Sequence, residues 1–401
     1  MGGLPQLRLE AVCDVNVSLA RPRTAQLTAT FLLLGLTAFG GPIAHLAYFR
    51  SALVARRRWL DDAELARIIA LCQVLPGPTS SQVAYAIGLQ RGGVIGGLAT
   101  WSAFTAPSAL LMLLLAFGLG HLGLGEFGQG LIHGLKLAAV AIVAQAVLVM
   151  ADGLARGWRA AGIALICAII TGVAPSGLSQ LAALVVGALA GVMALTPSLA
   201  ASIEPAPTRA HRRRAALSGL AMLLLLLIAL TPLGGFAGAF YRSGALVFGG
   251  GHVVLPLLRD AIVVPGWVGE EVFLSGYGAA QAMPGPLFSF AAYLGVLSSD
   301  GPGGVMGAAV AILAISAPGL LAVTAALPFW NQIMGDRRIG AAVAGLNAAV
   351  VGILATAFAL VVLPAGVATP GDGLAALVAI GALVAGRAPP LVIVVLLGLL
   401  A

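Results

Sequence analysis

The chain has 401 residues, of which 60% are hydrophobic and 9% charged, and its mean hydropathy is +1.05. A soluble domain carries about 25% charged residues, so a soluble fold is excluded and the chain reads as a polytopic membrane protein. The net charge of +7 comes almost entirely from arginine, with Lys136 the only lysine; the arginines lie between apolar runs and form no continuous patch for nucleic acid.

Residues 1–24 are expected to be a cytoplasmic tail. They carry Arg8, Glu10, Asp14, Arg21 and Arg23 around no apolar core, so they do not read as a cleavable signal peptide. Cys13, Cys72 and Cys167 share no metal-ligand spacing and leave an odd count, which implies neither a disulfide framework nor a zinc site. An apolar run from about Leu27 is interrupted at Phe39-Gly40-Gly41-Pro42 and continues past His45 to Phe49. Each half of it is too short to span the hydrocarbon layer, which needs about 20 residues. A basic loop with Arg50, Arg56, Arg57 and Arg58 leads to Asp61-Asp62-Ala63-Glu64, a helix start. That helix breaks at Pro76-Gly77-Pro78, resumes at Thr79 and ends near Arg91.

Longer runs are predicted over 93–118 and 129–151, then shorter ones over 160–174 and 178–196. Residues 197–214 form a basic linker expected in the cytoplasm, separating a first repeat at 25–196 from a second at 215–401. The second repeats the motifs of the first. Phe39-Gly40-Gly41 returns as Phe248-Gly249-Gly250, Trp59 as Trp267, Pro76-Gly77-Pro78 with Tyr85 as Pro284-Gly285-Pro286 with Tyr293, and Ala106-Pro107 as Ala317-Pro318. An odd number of predicted spans precedes the second copy, which inverts it relative to the first. The expected fold is all-α, with two homologous halves in an inverted-topology repeat and broken or re-entrant helices at the FGG and PGP motifs. Full spans would export the loop carrying Arg50 to Arg58, whereas re-entrant hairpins keep it on the cytoplasmic side, so the positive-inside rule favours hairpins.

Glycine and proline inside apolar runs cost a helix about 1 and 3 kcal/mol, and in lipid the freed amides need a partner. A helix restarting at mid-depth presents unpaired N–H groups and a partial positive charge, which bind anions. Gly40, Gly41 and Gly77 let a ligand approach the backbone. Pro42 and Pro78 border restarting helices, and Thr79 or Ser80 can cap one or donate a hydroxyl. Inversion would bring Gly249, Gly250, Gly285 and Pro286 to the same depth from the other side. The alternative is that these residues are tight-packing kinks. His45 and His252 each follow a glycine-rich break and either hold an oxyanion, carry a proton or bond a backbone carbonyl. Gln82, like Gln73 and Gln281, flanks a PGP break, where its amide serves an anion or an interhelical bond. Lys136 balances substrate charge or snorkels to an interface. No Walker motif, metal cluster or nucleophile constellation is present, so no cofactor and no enzymatic activity are expected.

At Phe39-Gly40-Gly41-Pro42 with His45, Pro76-Gly77-Pro78 with Gln82 and Gly88, and their echoes Phe248-Gly249-Gly250-Gly251 and Pro284-Gly285-Pro286 with Tyr293 and Gly295, the chain resembles the long, fused form of the chromate ion transporter family. The resemblance implies efflux of chromate across the bacterial inner membrane, with sulfate as a look-alike ion. The second copy departs from the first, with Gly251 for Pro42 and Leu287-Phe288 for Thr79-Ser80, which implies an asymmetric site. Rival readings are a sulfate or oxyanion uptake system, an anion channel, and a scaffold or enzyme subunit. A homodimer is among the expected assemblies.

Overall fold

A computed structural model describes residues 22–39, 41–121, 126–174, 177–196, 208–248, 253–330, 336–386 and 388–400. Every regular element among them is helical. Gly40, Gly249, Gly250, Gly251 and His252 lie outside the described residues.

The first half opens with α1 (Thr24–Thr37), then α2 (Gly41–Phe49) with a π turn (Arg50–Arg56), then α3 (Asp62–Val74) and α4 (Thr79–His121). Both breaks are hairpins. Past Gly41, α2 folds back along α1: His45 Nε2 lies 3.1 Å from the Ala38 carbonyl, and the Phe49 ring meets the Phe31 ring at 5.4 Å. The second hairpin joins α3 to the first arm of α4. Arg91, at the end of that arm, reaches back to the Trp59 carbonyl and to Glu64 in the first turn of α3, at 3.0 and 2.9 Å. Helix α4 itself then doubles back, because Gly92 and Gly93 leave helical geometry. Thr100 Oγ1 donates to the Ala84 carbonyl at 2.8 Å, fixing the arms 79–91 and 94–121 antiparallel. The turn lies beside Thr24, where α1 begins. Thr24, Trp59, Glu64 and Arg91 therefore mark one face of the molecule.

From that face the second arm of α4 crosses, α5 (Glu126–Leu154) returns, and α6 (Trp158–Val173) and α7 (Gly177–Ala194) cross out and back. Arg159 Nη1, at the start of α6, donates to Ala194 O at the end of α7, whereas Gln180, near the opposite turn, meets Asp260 on the far face. Then α8 (Arg209–Ala229) crosses and meets the following segment at a bend of 104°. Arg209 to Arg214, expected in the linker, form the first turns of this helix.

The second half, entered from the far face, repeats the pattern: α9 (Gly235–Ala245), α10 (Val254–Leu258) with a π turn (Arg259–Val263), α11 (Glu270–Ala282), a 3-10 turn (Leu287–Ser289) with α12 (Phe290–Leu297), and α13 (Gly304–Ala326). Helix α14 (Arg337–Ala357) runs on through Gly366, and α15 (Pro370–Val384) and α16 (Pro390–Leu400) close the chain. Five crossings separate the two sets of hairpins: the second arm of α4, then α5, α6, α7 and α8. That odd number inverts the second copy, as the repeat predicts.

The repeat extends to individual contacts. The π turns are held by Arg50 to Asp62 and by Arg259 to Glu270, at 2.6 and 2.8 Å. The Trp59 and Trp267 amides donate to Leu53 and Ile262 carbonyls. Close helix crossings recur at Gly88 on Gly96 and at Gly295 on Gly307, where an added Cβ would strike backbone carbonyl oxygen. The C-terminal helix pairs are exchanged between halves. Helices α6 and α7 pack on α14, with Gly187 against Gly345, and α15 and α16 pack on α5, with Gly134 against Leu397.

Charge divides the two faces. Arg50, Arg56, Arg57, Arg58, Arg91, Arg156, Arg159, Arg212, Arg213, Arg214, Arg337 and Arg338 fall on the Trp59 face. The far face carries Glu270, Glu271, Asp300 and Asp372 with few cations.

Candidate site at the hairpin tips

The hairpins from the two faces meet tip to tip, and each FGG break pairs with the PGP break of the other half. Gly285 N–H donates to the Ala38 carbonyl at 2.9 Å, and Gly77 N–H donates to the Val247 carbonyl at 2.7 Å. Ala38 is the C-cap of α1 and Val247 follows the C-cap of α9, and their carbonyls would otherwise be orphaned in the interior. The glycine amides satisfy them, so the negative helix ends are neutralised within the protein while the adjoining helix starts stay electropositive.

In the first pairing, α1 stops at Thr37 and α2 starts at Gly41, whose φ of +76° is left-handed, a conformation glycine adopts without penalty. A Cβ at Gly41 would meet nothing within 4 Å, so the start of α2 borders open space. Pro42 is the second residue of α2. His45, only 1% exposed, stands edge-on to Phe104 at 5.5 Å. With Nε2 directed at the Ala38 carbonyl, the proton belongs on Nε2, which leaves Nδ1 as a buried acceptor without a partner among the described residues. Gly285 (φ +92°) packs on Ser108, 3.0 Å from its Cβ position to Ser108 Oγ. Pro286 precedes the short turn that opens the last hairpin arm.

In the second pairing, Gly77 has φ +123°, and its Cβ position lies 2.9 Å from Gly319 Cα. Gln82 is fully buried, and its Nε2 donates to the Pro76 carbonyl at 2.8 Å, with Gly319 O at 3.4 Å. This amide staples the break to the other half, and its Oε1 has no partner among the described residues. Pro78 leads into α4, whose first residues Thr79, Ser80 and Ser81 are all buried. Their counterparts are Leu287, Phe288 and Ser289, so the hydroxyl supply at the tips is weighted to the first half. Ser289 Oγ and Thr105 Oγ1 are also buried without partners among the described residues.

Lys136 stands apart from the tips. Its Nζ lies 3.3 Å from Glu271 Oε1, in the first turn of α11 at the far face. Tyr85 OH meets Thr324 Oγ1 at 2.8 Å across the halves, whereas Tyr293 OH donates to Val272 O at 3.2 Å within its own half. Asp61 caps α3 by accepting from the Glu64 amide. No charged side chain belongs to the described tip residues, and among the described residues no group of three His, Cys, Asp or Glu could hold a metal ion.

Ser108, Gly319 and Thr324 also sit beside the tips, and sequence reasoning did not single them out. The signal for the first two was the repeated Ala-Pro pair at Ala106-Pro107 and Ala317-Pro318, which each immediately follows. Proline removes a helical hydrogen bond there, and the helix backbone one turn before it receives Gly35 at Ala103-Phe104 in the first half and Gly244 at Ile315 in the second.

No solved structure matches the chain. Among curated proteins it is 30% identical over 349 residues to a chromate transport protein of Pseudomonas aeruginosa, covering 82% of this chain and 79% of that one. It is 29% identical over 340 residues to a probable chromate transport protein of Synechococcus elongatus, covering 83% of each. It is 28% identical over 338 residues to a chromate transport protein of Cupriavidus metallidurans, covering 82% of this chain and 80% of that one. The chromate transporter family matches twice, over residues 25–195 and 234–401, the two stretches that hold the paired hairpins. Matched in both halves and along most of the length of its relatives, the chain belongs to the chromate transporter family.

Proposed function

We propose that the chain is a secondary transporter that exports chromate from the bacterial cytoplasm across the inner membrane by alternating access. The observation that carries this reading is the tip-to-tip meeting of the hairpins, with buried hydroxyls at Thr79 and Ser80, an open space at Gly41, and no charged side chain among the described tip residues. Neutral amides and hydroxyls suit a tetrahedral dianion that must be released as well as bound, because a buried ion pair would hold it too tightly. The names of the Pseudomonas and Cupriavidus relatives support chromate as the ion. The arginine-rich face is cytoplasmic by the positive-inside rule.

Direction follows from charge. A dianion leaving an inside-negative cell gains about 2.3 kcal/mol per charge per 100 mV, or about 4.6 kcal/mol in all. The membrane potential or the proton motive force can therefore drive export.

The test is chromate flux through the purified chain in oriented liposomes. Saturable release that grows with an imposed inside-negative potential, and that sulfate inhibits by competition, is the expected result. Current that does not saturate with chromate would make the protein a channel. Accumulation against the potential would make it an uptake system, and no flux would leave it a scaffold.

A further inference from the structure

The hairpins, α8, the second arm of α4 and α13 form one body, and α5 and α14 with the exchanged C-terminal helices α6, α7, α15 and α16 form another. The two bodies touch unevenly. In the second half, α11 packs along α5 and α16, with Gly278 against the Leu135 carbonyl and Glu271 against Lys136. The turn between α6 and α7 adds Gln180 Nε2 to Asp260 at 2.7 Å on the same far face. The repeat pairs α11 with α3, Leu135-Lys136 with Leu346-Asn347, and Gly278 with Ala70. Yet α3 has no comparable packing on α14 or α7; its neighbours are α4, α13, the π turn after α2, and Leu327 and Trp330 past the end of α13, on which Ala70, Leu71 and Leu75 pack.

Two further observations mark the same gap. Ala66 and Gln73 on α3 are exposed and Ala70 is half-buried, whereas their counterparts Leu274 and Gly278 are buried and Gln281 is half-buried. Gln73 is the last polar residue before Pro76-Gly77, and it stands exposed between the arginine-rich face and the hairpin tips. Asn347, the counterpart of the paired Lys136, has a buried Oδ1 with no partner among the described residues.

We infer that α3 is the gate on the arginine-rich face. It closes by seating Ala63, Ala66, Ala70 and Gln73 on α14 at Leu346-Asn347, in the arrangement α11 already makes on α5. In this conformation α11 is seated on α5 at the far face, and α3 is unseated from α14 at the arginine-rich face. In an inverted repeat the second state is reached when the halves exchange arrangements, and alanines at positions 63, 66 and 70 allow the close approach that Gly278 has on Leu135. The inference rests on the transporter reading, but its test does not use flux.

In a chain with Cys13, Cys72 and Cys167 changed to alanine, Ala70→Cys and Leu346→Cys are combined with Gln73→Cys and oxidised in membranes. In the far-face counterpart the Cβ position of Gly278 lies 3.5 Å from Leu135 Cα, within reach of a disulfide. The expected result is a 70–346 disulfide that slows labelling of the Gln73→Cys thiol by a membrane-impermeant maleimide roughly tenfold or more. The inference is overturned if the pair stays reduced in protein whose Gln73→Cys thiol labels freely, or if linked protein labels as fast as unlinked. Spin labels at Ala63→Cys and Asn347→Cys give an independent reading: a short and a long distance population are expected, and a single long one overturns the gate. Failure of either leaves chromate flux, and the function above, untouched.

Discussion

The Gly77 amide donates to the Val247 carbonyl at 2.7 Å, 170 positions along the chain, and its repeat partner Gly285 does the same to Ala38 at 2.9 Å. These bonds tie a hairpin from one face to a hairpin from the other. Glycine is required at both for conformational and steric reasons. Gly77→Ala would put a Cβ 2.9 Å from Gly319 Cα in a left-handed backbone, at a cost of about 3 kcal/mol. Gly41→Ala, with open space around it, should cost only about 1–2 kcal/mol. Melting in detergent checks this, and equal losses would contradict it.

Gln82 spends its amide protons on main-chain carbonyls of both halves. Gln82→Leu leaves the buried Pro76 carbonyl without its donor and should cost about 1–3 kcal/mol. Gln82→Glu sets a carboxylate beside the proposed dianion site. It should abolish chromate flux at neutral pH even where the folded protein is recovered, as measured by uptake into inverted vesicles.

Buried hydroxyls at Thr79 and Ser80 face apolar Leu287 and Phe288 at the equivalent positions. Thr79→Val and Ser80→Ala should each raise the KM for chromate about 2- to 10-fold, the value of one lost hydrogen bond. Leu287→Val should leave it unchanged. Concentration-dependent flux in proteoliposomes distinguishes the halves.

The two arginine clamps differ in setting. Side chains of Arg50 and Asp62 are 63% and 60% exposed, and those of Arg259 and Glu270 are 27% and 32% exposed. Asp62→Asn should therefore cost less than about 1 kcal/mol. Glu270→Gln should cost about 1–3 kcal/mol, because a less hydrated guanidinium loses its bidentate partner. Thermal unfolding of the two variants in detergent ranks them.

Re-entrant hairpins set the sidedness. Arg57→Cys and Arg212→Cys should react with an impermeant reagent from one side of the membrane, and Asp300→Cys from the other. Labelling of Arg57→Cys from the Asp300 side would mean that the first break spans.

Membrane class, helical breaks and duplication were legible from residue order, because each is written locally. Apolar runs need no distant partner to be recognised, glycine and proline break a helix wherever they fall, and constant offsets between Gly77 and Gly285 or Trp59 and Trp267 survive any packing. That the broken runs turn back was favoured by the arginines between them, but tertiary structure alone decided that each break joins its opposite in the other half and that the C-terminal pairs change places. It also gave Lys136 its partner Glu271 and turned His45 towards the Ala38 carbonyl. The reason is physical: the joining bonds run between main-chain groups far apart in the chain, and a main-chain donor or acceptor carries no side-chain signature beyond the glycine that makes room for it.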